Sequence, residues 1–205
     1  MPMILISLFT VAVVVVIGIM AARNSGPSGI DSGVQLADPV TDPAGRPVLI
    51  EYADFQCPAC AAYYPLLKQL EKEYGGKYVF VYRYFPLSQH QWGRQTAYAA
   101  EAADKQEKFS AMHDLLYENQ KDWADSTNAG DIFLGYAQKI GLNLEQYKTD
   151  IDSASVKDKV ESDYQSGVRS GVNSTPTFFL NGKKIQPQSY EEFKQDMEQE
   201  LHKTP

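Results

Sequence analysis

The most constraining feature of this chain is a junction. An apolar run, Val48-Leu-Ile-Glu-Tyr-Ala53, passes through Asp54-Phe-Gln to Cys57-Pro58-Ala59-Cys60, and a helical pattern starts there. The run reads as a buried strand. Behind it Cys60, Tyr64, Leu67, Leu70 and Tyr74 recur at steps of four and three, which gives one buried helix face. Pro58 falls in the first turn, where its missing N–H costs nothing, Pro65 is expected to kink the helix, and Gly75-Gly76 to end it. Cys57 and Cys60 are the only 2 cysteines in the chain, so they work with each other or with another molecule. A pair so placed is a redox centre, a metal clip or an inert thiol pair.

Around this junction the order of elements is legible. Residues 34–40 are expected to form a short first strand ended by Pro39, and 41–47 a turn. Lys-Tyr-Val-Phe-Val-Tyr-Arg-Tyr-Phe over 77–85 is a strand, stopped by Pro86. Residues from about 88 to 170 read almost entirely as three to five helices. Their stripes are Phe109, Met112 and Leu116; Ile132, Phe133, Tyr136, Ala137 and Ile140; and Val156, Val160, Tyr164 and Val168. Thr177-Phe-Phe-Leu180 returns to strand chemistry, Asn181-Gly182 signals a hairpin, and 183–186 is the returning strand. Ser189-Tyr-Glu-Glu192 is a capping box for a last helix with Phe193, Met197 and Leu201 inward.

Residues 3–22 carry no charge. As a helix they would rise about 30 Å, the thickness of a hydrocarbon core. The segment is longer than the apolar part of a cleaved signal and has no basic start, so an uncleaved anchor is preferred to a signal cut near Ala21-Ala22. Residues 23–33 are a flexible linker by composition, and 34–205 the folded domain. Arg23 follows the apolar segment and no Lys or Arg precedes it, which taken literally leaves the domain in the cytoplasm. A lone cysteine pair behind a hydrophobic leader fits an oxidising compartment instead, and this second argument is the one followed. The expectation is a single-pass cell-membrane protein with its domain outside the cytoplasm. A net charge of −7 offers no basic stripe for nucleic acid.

A zinc or copper clip needs more ligands than two thiols. There is no second cysteine pair, and His90 and His113 are not spaced as a helical ligand pair. Both read better as hydrogen-bonded, partly buried histidines, so no metal is expected.

Asp54-Phe-Gln-Cys-Pro-Ala-Cys60, Tyr82-Arg-Tyr-Phe-Pro-Leu87, Met112-His-Asp-Leu-Leu-Tyr117 and Gly171-Val-Asn-Ser-Thr-Pro-Thr-Phe-Phe-Leu-Asn-Gly182 occur in this order, with a helical block between the halves. The pattern resembles the DsbA-like thiol–disulfide oxidoreductases, α/β proteins of the thioredoxin fold with a helical insertion, and the N-terminal segment looks like that of their membrane-tethered members. The resemblance runs from about residue 45 to the end.

It implies a redox disulfide, Cys57–Cys60, and no cofactor beyond it. Cys57 at the helix start would be the exposed nucleophile, its thiolate favoured by free N–H groups and the dipole. Cys60 would face inward. Glu51 would lie buried behind the pair, its pKa raised by desolvation, and help move protons. Asp54 would fix the loop. Thr175-Pro176 would be cis and present the Thr175 backbone to a substrate strand, with Pro58 and Ala59 also facing substrate. The implied partners are exported proteins with free cysteines and a quinone-linked membrane reoxidant. Two departures limit the resemblance. Ala59 stands where the strongly oxidising archetype has His, which predicts a less stabilised thiolate and a weaker oxidant. Thr before the proline also occurs in isomerase and reductase relatives, so direction stays open.

Overall fold

Strand β1 (Val48–Ala53) is buried at all 6 positions. It is apolar at every position but Glu51 because both of its faces are covered. Leu49 packs with Leu67 and Leu70 of helix α1 (Pro58–Tyr74) and with Phe193 and Met197 of the C-terminal helix. Val48, Ile50 and Tyr52 point the other way and pack with Phe85, Val172 and Phe179. Alternation places Glu51 on the α1 side with Leu49. The structure, a computed structural model, describes residues 36–203. The apolar segment 3–22 and the linker 23–33 lie outside them. Among the described residues no helix is long and apolar enough to cross a membrane.

The sheet order is β2–β1–β3–β4, with β2 (Val79–Tyr84) parallel to β1 and β3 (Thr177–Leu180) antiparallel to it. The thioredoxin-like sheet is thus split in sequence, and a helical insertion separates its halves. β2 is shorter than the 77–85 expected. The last strand, β4 (Lys183–Ile185), stops before Gln186. Asn181 and Gly182 join β3 to β4 at φ 49° and 78°, the two positive values a type I′ hairpin needs.

The insertion holds six helices: α2 (Gly93–Asp104), α3 (Phe109–Glu118), α4 (Gln120–Trp123), α5 (Ala129–Lys139), α6 (Leu144–Ile151) and α7 (Ala154–Arg169). The extra elements arise because α3 breaks at Asn119, whose side-chain amide donates to the Leu115 carbonyl at 2.8 Å. The separate α4 is only 4 residues long, too short to show a periodicity. In α7, Val156 and Val160 are buried as expected, but Val168 is 48% exposed. The buried line passes through Gly167 instead, where an added Cβ would stand 2.5 Å from Phe85 Cδ2.

The expected first strand does not form over residues 36–40. Polar groups of the folded domain hold this segment in place of a ladder. Leu36 N–H donates to the Gly182 carbonyl at 3.1 Å, Ala37 N–H to Ser170 Oγ at 3.0 Å, and Arg83 donates to the Asp38 carbonyl at 3.0 Å. Helix α8 (Tyr190–Leu201) begins at its Ser189 cap, whose Oγ accepts from Glu192 N–H at 3.2 Å. The Glu192 carboxylate reaches back to Gln188 N–H at 2.7 Å, one residue before the position a capping box uses.

Candidate active site

Three consecutive features of the chain aim Cys57. β1 ends at Ala53, the loop turns on Asp54, and α1 starts at Pro58. Asp54 accepts Cys57 N–H on its main-chain oxygen at 3.0 Å and Gln56 N–H on Oδ1 at 2.8 Å. Its Oδ2 accepts Leu87 N–H at 2.8 Å and pairs with His90 Nδ1 at 2.7 Å. Gly93 leaves room for this carboxylate, since a Cβ there would stand 2.9 Å from Oδ2. Asp54 therefore does fix the loop, and it ties the loop to the chain leading into α2.

Cys57 is the N-cap of α1, and Cys60 lies in its first turn. Both are free thiols. The Cys57 thiol falls from its ordinary value near 9 to about 5, chiefly because the Cys60 thiol hydrogen-bonds to the thiolate. Burial opposes this, while Thr175 and the amides of Cys60 and Ala59 add to it. Those amides are the unpaired donors of a helix N-terminus. Cys60 is pushed well up by burial first, then by the Cys57 thiolate and Glu51. The pair is thus strongly asymmetric. One expectation needs correction: Cys57 is 6% exposed rather than open to solvent, because the Thr175 loop covers it.

That loop carries a cis Thr175–Pro176 bond. The Thr175 carbonyl accepts from the Cys57 thiol at 3.3 Å. The Thr175 hydroxyl is buried without a partner. A thiolate has no proton to give the carbonyl, so the share of the lowering that Thr175 contributes, after that of Cys60, belongs to its hydroxyl. Pro58 and Ala59 are exposed beside Cys57, and Pro176 is half-buried. A cleft of about 250 Å³ adjoins Pro176, lined by Tyr63, Thr177, Phe178, Ile185 and Gln186. A larger groove of about 740 Å³ runs along β2, and neither cysteine lines it.

Glu51 is 1% exposed, and its Oε2 has no hydrogen-bond partner. Burial, and then the Cys57 thiolate, raise its pKa to about 8. It sits on the same face of the sheet as the cysteine pair.

His90 is held by Asp54, and His113 pairs with Asp114 at 3.1 Å amid the rings of Phe55, Tyr82 and Tyr117. Neither is gathered with the cysteines into a ligand set, and among the described residues no group of three or more His, Cys, Asp or Glu could hold a metal ion.

Two glutamines at the site were not anticipated. Gln120 donates to the carbonyls of Phe55 and Cys57, and Gln56 bridges the Ala124 carbonyl and Trp92 N–H. Periodicity carries no trace of them, because their partners are backbone groups far away in sequence. Only the position of Gln56 next to Cys57 hinted at a role.

An asymmetric dithiol at a helix start, a buried acid behind it and a cis-proline loop beside it define a redox enzyme of the thioredoxin fold. The chain belongs to the thioredoxin family, whose model matches residues 41–199. BdbD from Bacillus subtilis in its oxidised form is similar over 82% of this chain and 94% of its own, with TM-score 0.67 and 23% identity. A Pseudomonas aeruginosa DsbA variant is similar over 82% and 93%, with TM-score 0.65 and 18% identity. A thioredoxin-like oxidoreductase from Silicibacter pomeroyi covers 84% and 98%, with TM-score 0.65 and 22% identity. At these identities the likeness is one of fold.

Among curated sequences, the Na(+)/H(+) antiporter NhaA 3 of Salinispora tropica is 35% identical over 149 residues, which is 72% of this chain and 22% of that protein. NhaA of Herminiimonas arsenicoxydans is 32% identical over 175 residues, 81% and 27%. The chain spans about a quarter of the length of these relatives.

Proposed function

We propose that the chain is an extracytoplasmic thiol–disulfide oxidoreductase that introduces disulfides into exported proteins. Its redox centre is Cys57–Cys60. The observation that carries the reading is the placement of the two thiols: Cys57 caps α1 with its sulfur 3.3 Å from the Thr175 carbonyl and Cys60 is buried one turn on, an arrangement that displaces Cys57 down to about 5 and Cys60 well up. A stable Cys57 thiolate favours the dithiol form and makes the disulfide an oxidant. This supports the oxidising direction over reduction, even though Ala59 supplies no side-chain donor.

A substrate thiolate attacks Sγ of Cys57 in the disulfide. The Cys57–Cys60 bond breaks, and a mixed disulfide forms. Cys60 leaves as a thiolate and takes a proton from Glu51, the neutral acid behind it. The second substrate thiolate then attacks the substrate sulfur of the mixed disulfide. Cys57 leaves as its stable thiolate. The substrate dithiol has lost two electrons, now held by Cys57 and Cys60, and two protons, released to water as its thiols ionise; one proton returns from water to Glu51. Thr175 and Pro176 offer the backbone edge for the substrate, Pro58 and Ala59 flank the sulfur, and the cleft beside Pro176 accepts a neighbouring side chain. The dithiol is returned to the disulfide by a quinone-linked membrane protein, and residues 3–22 hold the domain at the membrane. No nucleic acid takes part.

The test is the equilibrium of the dithiol with glutathione. A potential well above about −270 mV, the thioredoxin level, is expected, and one at that level overturns the oxidising direction. In cells, Cys60→Ser accumulates mixed disulfides with exported proteins through Cys57. Trapping of cytosolic proteins alone removes the assigned compartment.

A further inference from the structure

We propose that Gln120 is a positioning residue for Cys57. Its side-chain amide holds the two peptide carbonyls on either side of Gln56–Cys57 and so sets the direction in which the reactive sulfur leaves the helix start. The role matters to the chemistry because Cys57 is the attacked sulfur, and to that extent it rests on the function proposed above.

Gln120 is 8% exposed. Its Nε2 donates to the Phe55 carbonyl at 2.6 Å and to the Cys57 carbonyl at 3.0 Å. The Phe55–Gln56 peptide is thereby held at both ends, by Gln120 at its oxygen and by Asp54 Oδ1 at its N–H, at 2.8 Å. The Cys57–Pro58 peptide differs. Proline has no N–H, so this plane is fixed only through its oxygen. Ala61 N–H takes that oxygen within the helix at 3.2 Å, and Gln120 takes it from outside. Pro58 frees the first turn from an unpaired donor, and the same residue leaves the plane that carries Cys57 held only at its oxygen, by Ala61 inside the helix and by Gln120 at the shorter distance from outside.

The donor has a firm base. The neighbouring Trp123 is fully buried, and its Nε1 donates to the Leu116 carbonyl at 2.9 Å, which ties α4 to α3. Loss of the Gln120 amide takes a donor from the Phe55 carbonyl and leaves the Cys57 carbonyl with Ala61 N–H alone, which loosens the loop that aims the thiolate at its helix-start donors.

Gln120→Met keeps the approximate volume and removes the donor. The reduced full chain is titrated by thiolate absorbance at 240 nm, and Cys57 alkylation by iodoacetamide is timed at pH 6. The expected result is a fall of about tenfold in the Cys57 ionisation constant, with slower alkylation. Gln106→Met makes the same exchange where the side chain joins the end of α2 to Asn143, away from the loop, and is expected to lower stability and leave the ionisation unchanged. A Gln120→Met protein that loses stability but keeps the wild-type midpoint overturns the proposal. If that variant does not fold, Gln120→Asn, one methylene shorter, is read in the same titration, and an unchanged midpoint again overturns it. The titration needs no turnover. A wild-type protein that exchanges no disulfides sinks the oxidoreductase reading and leaves this one to be judged by the midpoint.

Discussion

The Thr175 carbonyl meets the Cys57 thiol at 3.3 Å across 118 positions of sequence. The hydroxyl of the same residue is buried with no hydrogen-bond partner. The carbonyl accepts from the thiol; once the sulfur is a thiolate, the hydroxyl is the group of Thr175 with a proton to offer it. Thr175→Val keeps the shape and removes only that proton. The Cys57 ionisation midpoint should rise by about one pKa unit, read from thiolate absorbance of the reduced protein. An unmoved midpoint would mean that the hydroxyl plays no part.

The asymmetry of the dithiol should appear directly in its chemistry. With Cys57 at about 5 and Cys60 well above its ordinary value, iodoacetamide at pH 6 should label Cys57 and spare Cys60. Peptide mass spectrometry after brief labelling reads the order. Preferential labelling of Cys60 would reverse the assignment of attacking and inner sulfur.

Glu51 and Cys57 pull the pH dependence of stability in opposite directions. Glu51 has its folded pKa raised from 4.5 to about 8, so its contribution is complete below 4.5 and is lost as pH rises through 8. Cys57 has its folded pKa lowered from 9.0 to about 5, so its contribution is complete above 9.0 and is lost as pH falls through 5. In the window between, each alone would give a slope of up to about 1.4 kcal/mol per pH unit, with the Cys57 share reduced by solvent screening at the rim of the site. The wild-type dithiol form should therefore be level or fall gently from pH 5.5 to 7.5, whereas Glu51→Gln should rise. Urea unfolding under reducing conditions measures both, and parallel slopes would rule out a raised Glu51.

Gly167 tests the packing of α7 on the sheet. A Cβ there meets Phe85 Cδ2 at 2.5 Å and Tyr52 Cδ1 at 3.0 Å, both on well-packed rings. Gly167→Ala should cost about 1–3 kcal/mol in urea unfolding. A neutral result would show that the helix can shift away at no cost.

The elements that repeat are the ones the sequence reveals. β1 is apolar but for Glu51, α1 shows its buried face at Cys60, Leu67, Leu70 and Tyr74, and Asn181-Gly182 states its turn in two letters. What stays hidden is set by partners far away in the chain. Residues 36–40 look like a strand because they are short and flanked by turn signals, yet Ser170 and Arg83 supply the hydrogen bonds a neighbouring strand would. Val168 continues a stripe of four-residue steps in the sequence but faces out, because such steps drift around a helix of 3.6 residues per turn and the buried face has reached Gly167 by then. At the site, Cys57 and Cys60 are visible from type and spacing, whereas Glu51 and the Thr175-Pro176 pair stand out through the family resemblance. Gln120 is visible in neither way, because its worth depends on two carbonyls that only the folded loop turns toward it.

The division of the sheet has a consequence for when the chain becomes reactive. β1 and β3 pair across the whole insertion, and Val48 N–H reaches the Asn181 side chain over 133 positions. Contacts of such span form only after a large loss of chain entropy, so they belong to the late part of folding. Until then Thr175 is remote from Cys57, and the sulfur lacks the share of its low pKa that Thr175 contributes, whereas the Cys60 thiol and the first-turn amides are local to α1. The substrate-facing side of the site is thus the part that waits for the completed domain.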